Sequence, residues 1–181
     1  FMWTAPLYAD SLPAGYEPVT GASSYAVSAD GATGTLTASD AVTIGQWNGG
    51  FNIAGGNTFN ALLPSDGAHL SRDITANPSE IFGALNVPQG KFFLVNTNGI
   101  FFSPTASVNA AGLVASALDI ANQDFLTGRY HFFEGNTPAS VVNAGIINIG
   151  KNGLALLGGS VKNSGVIVAK ESSVVLAAGK A

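Results

Sequence analysis

Short runs of alternating hydrophobic and polar residues recur along the first part of the chain and predict β-strands. Three of these runs cover residues 24–28, 34–38 and 41–44, and each is bounded by glycine, aspartate or serine. Two other segments carry helical signals. Residues 77–83 begin with an Asn-Pro-Ser-Glu helix start and end in glycine after one turn, and residues 122–126 form a second candidate. The pattern predicts a mostly β fold.

The C-terminal third repeats itself with a fixed period. The sequence VNAGII at residues 142–147 is matched by KNSGVI at residues 162–167, an offset of 20 that persists without a gap to Gly179. Self-similarity of this period in strand and turn residues is typical of a β-solenoid. Leucine-rich repeats have a similar period, but they need leucines and a helical segment, whereas these repeats are rich in valine and isoleucine.

One coil per repeat explains the residue types. Ile147 and Ile149 would point inward, with their equivalents in the next coil stacked on them. The asparagines of successive coils would join their side-chain amides in a ladder, and the glycines would permit the turn that follows. The ladder and turn residues are Asn143, Gly145, Asn163 and Gly165. Asn109 and Gly112 resemble an earlier, imperfect coil.

The ends of the chain suggest its domain organisation. The repeat reaches Gly179 without a polar terminal cap, so we expect the solenoid to continue in a longer protein. Residues 20–181 form the predicted domain, and residues 1–19 form a leader or N-terminal extension. The apolar residues 1–9 fit the tail of a removed presequence, and they equally fit a remnant that packs on the first strands.

Composition narrows the classes of protein that fit this architecture. Charged residues make up 10% of the chain, which argues against disorder, a coiled coil and a nucleic-acid binder. The net charge of −4 supplies no positive field for phosphate. Cysteine is absent, which excludes disulfides and thiolate metal sites. No apolar run reaches the roughly 18 residues of a membrane helix.

The only dense polar cluster is DGAHLSRD, whose His69, Ser71 and Asp73 are the residue types of a catalytic triad. Residues this close in sequence rarely converge as nucleophile, base and orienter, so we expect a surface turn with an ion pair. Asp119 and Asp124 flank the start of the second helical segment and are expected to be caps. No metal, phosphate or dinucleotide motif occurs. The sequence therefore predicts neither catalysis nor a cofactor.

The most specific motif is the run FFLVNTNGIFF at residues 92–102, which looks like the Asn-Pro-Asn-Gly-Ile motif of two-partner secretion exoproteins. Other segments resemble the same family in order, namely residues 46–53, 69–83, 108–120 and the repeats at 142–179. The resemblance covers about residues 20–181. It is closest to the haemagglutination activity domain of the filamentous-haemagglutinin type, and within that group to the high-molecular-weight adhesins.

This resemblance implies an all-β fold, a right-handed single-stranded parallel β-helix with an N-terminal cap and extra-helical strands. It implies a non-catalytic domain that directs a large exoprotein, expected to be an adhesin, through a dedicated outer-membrane pore and that nucleates β-helix folding. The implied partner is that transporter, contacted through its periplasmic polypeptide-transport-associated (POTRA) domains. We expect a monomer without nucleic acid or small-molecule cofactor. The implied location is the cell surface or extracellular space, reached through the periplasm of a Gram-negative cell.

The secretion motif of the resemblance falls on Asn96, Thr97, Asn98, Gly99 and Ile100. Thr97 stands where the family usually has proline, which pre-sets a turn that threonine only tolerates. We expect these residues to form the turn first, with transporter recognition as a second role. A different class of function stays open, namely a carbohydrate-active β-helix enzyme or a lectin-like binding module.

Overall fold

The computed structural model describes residues 12–135 and 137–179, and within them the chain is almost entirely β-structure. One short helix, α1, spans Asn122–Leu126 in this part, and no helix there is long and apolar enough to cross a membrane. The strands, in chain order, are β1 (Tyr16–Thr20), β2 (Ser23–Val27), β3 (Thr33–Ala38), β4 (Val42–Trp47), β5 (Thr58–Leu62), β6 (Ala68–Asp73), β7 (Ser79–Ile81), β8 (Ala84–Val87), β9 (Lys91–Val95), β10 (Ile100–Phe102), β11 (Ser107–Ser116), β12 (Asp119–Ile120), β13 (Phe132–Phe133), β14 (Ser140–Asn143), β15 (Ile146–Gly158), β16 (Ser160–Asn163), β17 (Val166–Ala169) and β18 (Val174–Ala178).

Each coil of the solenoid crosses three parallel sheets in turn, which we call faces 1, 2 and 3. Face 1 holds β3, β5, β8, the first halves of β11 and β15, and β17. Face 2 holds β4, β6, β9, the second halves of β11 and β15, and β18. Face 3 holds β7, β10, β14 and β16. About six turns of solenoid result, which confirms the fold predicted from the repeat.

The coils differ in length, so the period of the C-terminal end does not extend through the chain. Asn143 and Asn163, bonded between neighbouring coils, are 20 residues apart, whereas Asn109 and Asn148 are 39 apart. The longer step contains an extra-helical segment, described for residues 117–135 and 137–139, which leaves the coil after β11 and returns at β14. Asn109 therefore belongs to the column of Asn148 on face 1 and not to that of Asn143 on face 3.

Alternate residues of each strand point into the solenoid and form columns of stacked apolar side chains. One column on face 1 runs through Phe59, Leu85, Val108 and Ile147, all fully buried. It continues to Ile167, which is partly buried against the same cluster. The predicted stacking of Ile167 on Ile147 is confirmed. Each buried side chain of this size stabilises the fold by about 1.5–3 kcal/mol relative to its exposed state.

Aromatic rings fill the N-terminal end of the interior. The ring centroid of Trp47 lies 5.4 Å from that of Phe51 and 6.0 Å from that of Phe59. Tyr16 and Tyr25 cover this group, because β1 and β2 cross the end antiparallel to β4 and β3. The two strands cap an interior that water would otherwise reach. The folded part thus includes residues 16–19 of the predicted leader or N-terminal extension, while the apolar residues 1–9 lie outside the described residues.

A second apolar cluster lies on the outer surface of face 2, beneath the extra-helical segment. Ile44, Leu70, Phe93 and Val114 occupy one register across four neighbouring strands and point away from the interior. Phe125 of α1 covers them, with its ring centroid 5.0 Å from that of Phe93. The extra-helical segment therefore shields an apolar stripe that a bare β-helix would expose.

Arg72, on the same surface, fastens the extra-helical segment to the solenoid. Its guanidinium donates hydrogen bonds to Asp119 Oδ1, Asn122 Oδ1 and the C=O of Ile120. The prediction that Asp119 caps the helix is wrong, because the N-cap residue is Ala121 and makes no side-chain cap bond. Asp124, also predicted to be a cap, lies inside the first turn of α1.

The helix predicted at residues 77–83 is also wrong, whereas the one at 122–126 is confirmed. Ser79 and Ile81 belong to β7, which pairs in parallel with β10, and both are buried while Glu80 points outward. The local period is therefore two and not 3.6. Pairing with the next coil decides the conformation, and a capping pattern of four residues does not outweigh it.

The expected surface turn around the cluster DGAHLSRD is wrong for its second half. Residues from Ala68 form β6, which pairs with β4 on one side and β9 on the other. His69, Ser71 and Asp73 consequently point into the solenoid and are at most 4% exposed. A strand paired on both sides buries one of its faces whatever the polarity of the residues on it.

Candidate functional site: the corner of the Asn-Thr-Asn-Gly turn

The motif residues form one tight turn between β9 and β10, at the corner between faces 2 and 3. The backbone N–H of Gly99 donates to the C=O of Asn96 at 3.0 Å and closes a four-residue β-turn. Thr97 and Asn98 are its central residues. Gly99 has φ +115°, where a side chain would be strained. Ile100 begins β10 and is 2% exposed.

Asn96 is fully buried, and its side chain organises the corner. Its Nδ2 donates to the C=O of Asn77 and to Oγ of Ser79, both at 2.9 Å. Its Oδ1 accepts the backbone N–H of Asn98 at 2.9 Å. An amide is the group that supplies two donors and an acceptor at one point, which explains why asparagine suits this position.

Asn98 is the exposed member of the motif. Its Nδ2 donates to the C=O of Thr75 at 2.8 Å, so the turn is also tied to the preceding coil from its outer side. Thr97 is partly buried and stands at the second position of the turn, where proline is favoured. Among the five motif residues, Asn98 offers the most surface to a partner of the folded domain.

Two buried residues outside the motif complete the corner. Asp73 Oδ2 accepts the hydroxyl of Ser79 at 2.9 Å and the backbone N–H of Phe51 at 2.8 Å. Its Oδ1 accepts the N–H and hydroxyl of Thr75 at 2.9 and 2.7 Å. Because Ser79 also accepts from Asn96, a chain of hydrogen bonds runs from Phe51 through Asp73 to the motif. It joins three successive coils.

Sequence reasoning did not assign Asp73 and Ser79 to this corner. Both fall in segments for which other structures were expected, a surface turn and a helix. The signal that finds Asp73 is the alternation of His69, Ser71 and Asp73, which matches a strand with one buried face.

The three residues of catalytic-triad type, His69, Ser71 and Asp73, do not form a catalytic arrangement. His69 Nδ1 lies 2.7 Å from Thr43 Oγ1, and Ser71 Oγ accepts from Nε1 of Trp47 at 3.1 Å, while Asp73 is engaged as above. Burial lowers the pKa of His69 to about 3, so its ring is neutral at pH 7. Among the described residues, no group of three or more His, Asp or Glu side chains is placed to hold a metal ion.

The repeated asparagines stack at the corner between faces 3 and 1. Asn143 Nδ2 donates to Asn163 Oδ1 at 2.8 Å, and Asn143 Oδ1 accepts the N–H of Gly145 at 3.1 Å. Asn143 is fully buried, whereas Asn163 is exposed. A side chain at Gly165 would collide with the C=O of Gly145 in the coil below, so this position requires glycine for close approach of two backbones.

Comparison with known proteins identifies a matching family and a similar solved structure. The family model of the TPS secretion domain matches residues 12–181. The crystal structure of the HMW1 secretion domain from Haemophilus influenzae matches with a TM-score of 0.83 and 29% sequence identity. This second match covers 91% of the chain and 44% of the other chain, so the present chain spans less than half of that structure's length. No curated protein matches the sequence.

Proposed function

The chain belongs to the TPS secretion domain family, and we propose that it directs a larger exoprotein through a dedicated outer-membrane pore. The observation that carries this proposal is the family match over residues 12–181, which the likeness to the HMW1 secretion domain supports. The family acts in secretion and targeting and is not an enzyme family. The proposed passenger is an adhesin, and its proposed destination is the cell surface or the extracellular space.

The architecture suits a protein that crosses a pore unfolded and folds outside. Each coil contacts only its neighbours, so coils can add one after another as they emerge. The N-terminal end is closed by β1 and β2 over the aromatic group, so the first coils have a finished core on one side. We propose that these capped coils nucleate folding and bias movement outward. No disulfide can form within this chain before it crosses the pore, because cysteine is absent.

The proposed partner is the outer-membrane transporter, met in the periplasm through its POTRA domains. An extended segment of the chain would pair with a sheet edge on those domains, so that main-chain hydrogen bonds supply affinity. The burial of Asn96 and Ile100 supports a structural role for most of the motif, since neither side chain is accessible in the folded domain. Asn98 is the motif residue for which direct contact in the folded state is sterically open.

Secretion of the chain with and without its transporter tests the proposal. The chain is expressed behind a signal peptide in a Gram-negative host, either alone or with the outer-membrane barrel encoded beside its gene. We expect it in the medium only when the barrel is present, with a periplasmic marker protein retained in both strains. Equal release without the barrel, or retention in the periplasm with it, would contradict the proposed function.

A further inference from the structure

A small polar depression lies at the outer surface of face 2, beside the extra-helical segment. Its volume is about 190 Å³, and it is lined by Asp66, Gly67, Ala68, Lys91, Tyr130 and Asn152. A second depression of about 140 Å³ adjoins it and shares Lys91 and Asn152. Because one water occupies about 30 Å³ of liquid, the first depression has room for about six waters, and so for a ligand no larger than one sugar ring.

The walls of this depression are fixed by hydrogen bonds between coils. The backbone N–H of Lys91 donates to the C=O of Gly67 at 2.8 Å. The Nδ2 of Asn152 donates to the C=O of Gly90 at 2.9 Å and reaches across the coil of Gly112. A Cβ at Gly112 would lie 2.6 Å from Cβ of Asn152, so the crossing depends on glycine. The polar groups are therefore held in place before any ligand arrives.

Tyr130 supplies an exposed aromatic wall. Its ring centroid lies 4.9 Å from that of Phe93 and 6.0 Å from that of Phe125, yet 46% of the residue is exposed. Packing on one side fixes the ring while the other side faces water. A fixed aromatic surface buries the apolar C–H face of a ligand without the entropy cost of ordering a mobile side chain.

Asp66 and Lys91 place opposite charges around the same space without neutralising each other. In the described part of the chain neither residue forms an ion pair, and the carboxylate of Asp66 takes no hydrogen bond. Asp66 is purely an acceptor and Lys91 purely a donor. Asn152 adds its Oδ1, because the hydrogen bond to Gly90 uses its Nδ2. Such a set matches neighbouring hydroxyl groups, which each donate and accept.

We propose that this depression binds a neutral hexose unit of a glycan. The C–H face of the sugar lies on Tyr130, one hydroxyl donates to Asp66 and another accepts from Lys91. The balance of one acid and one base favours a neutral ligand over a charged one. Asp66 is the single carboxylate among the lining residues, whereas glycoside hydrolysis uses two. The site therefore binds sugar without cleaving it. This inference does not depend on the proposed secretion function.

Saturation-transfer NMR on the purified chain tests this site, with lactose and maltose as probes at millimolar concentration. We expect transfer to at least one of the two disaccharides. Asp66→Asn and Tyr130→Ala are each expected to weaken binding about tenfold or more, as loss of a charge-assisted bond or a stacked ring predicts. Matched controls are Glu171→Gln and Phe133→Ala, which change an exposed carboxylate and an exposed aromatic residue outside the depression.

The two variants separate loss of the site from loss of the fold. Asp66 is exposed and lies in a turn without side-chain hydrogen bonds among the described residues, so Asp66→Asn leaves the thermal unfolding midpoint unchanged. Absence of transfer from either disaccharide to the unmodified chain would overturn the proposal. Transfer that persists at full strength in both variants would overturn it as well.

Discussion

Replacing each asparagine of the motif by alanine should reveal two very different roles. Asn96 is fully buried and its amide makes three hydrogen bonds of 2.9 Å, two as donor and one as acceptor. Asn98 is exposed, and its Nδ2 donates a bond of 2.8 Å to the C=O of Thr75 and a longer bond of 3.4 Å to Oδ1 of Asn96. If the motif acts mainly through structure, Asn96→Ala must cost far more stability than Asn98→Ala.

The magnitude follows from the partners that each substitution leaves behind. Asn96→Ala removes three bonds at about 1 kcal/mol each and leaves the buried Oγ of Ser79 with one partner fewer, so we expect a loss of about 2–4 kcal/mol. Water replaces the bond at the exposed Asn77 and limits the loss. Asn98→Ala removes one short exposed bond and the long bond to Asn96, and we expect a loss of about 0.5–1 kcal/mol.

Urea denaturation measures both losses, and secretion with the transporter is scored in parallel. For a slope of about 2 kcal/mol per molar urea, the midpoint of Asn96→Ala should fall by about 1–2 M. The slope should be unchanged from the unmodified chain. Equal losses for the two variants, or a loss below about 1 kcal/mol for Asn96→Ala, would refute the reasoning. A secretion defect in Asn98→Ala with near-normal stability would assign that side chain to transporter contact.

Three further predictions concern other parts of the fold. Thr97→Pro should raise the free energy of unfolding by about 0.4–1 kcal/mol, because proline pre-sets the second position of the turn; a fall in the urea midpoint would contradict this. Arg72→Met should speed hydrogen exchange in residues 119–133 and leave β9 protected, because the guanidinium makes three hydrogen bonds to that segment. Uniform exchange along the chain would show instead that the segment and the solenoid unfold together. The lowered pKa of His69 should make stability fall with pH below about 6.5, since between there and about 3 the unfolded state binds the proton and the folded state does not. At pH 5 the loss relative to pH 7 should be about 2 kcal/mol by urea denaturation, and His69→Gln should remove that share of the pH dependence.

The solenoid itself could be predicted from the sequence, because the repeat that indicates it is local and recurs in successive coils. The match of residues 142–147 to 162–167 sets the register of two coils, and the structure pairs Ile147 with Ile167 as that register requires. Earlier coils are less regular, since the extra-helical segment lengthens one step to 39 residues. No fixed period passes through such an insertion, so Asn109 could not be assigned to its column from the repeat alone.

The corner around the turn could not be predicted from the sequence in the same way, because it depends on contacts between coils. Ser79 carries a helix-start pattern, and only pairing with β10 makes it a strand residue. Asp73 looks like a surface charge, and only the N–H of Phe51 and the hydroxyls of Thr75 and Ser79 make its burial tolerable. Local propensity determines the conformation of a segment that has few tertiary partners. At this corner, pairing with neighbouring coils determines it instead.

The hydrogen bonds of Asn96 within its own turn and those to the preceding coil form under different conditions, and this difference bears on the proposed recognition of the motif by a transporter. The bonds inside the turn, from Gly99 to the C=O and from Asn98 to Oδ1, need only four consecutive residues and can form in an otherwise unfolded chain. The bonds from Nδ2 to Asn77 and Ser79 need the preceding coil. In the unfolded chain the turn therefore presents two amide hydrogens to any partner, and folding withdraws both. A transporter that binds them competes with the preceding coil, so completion of that coil would release the chain from its carrier.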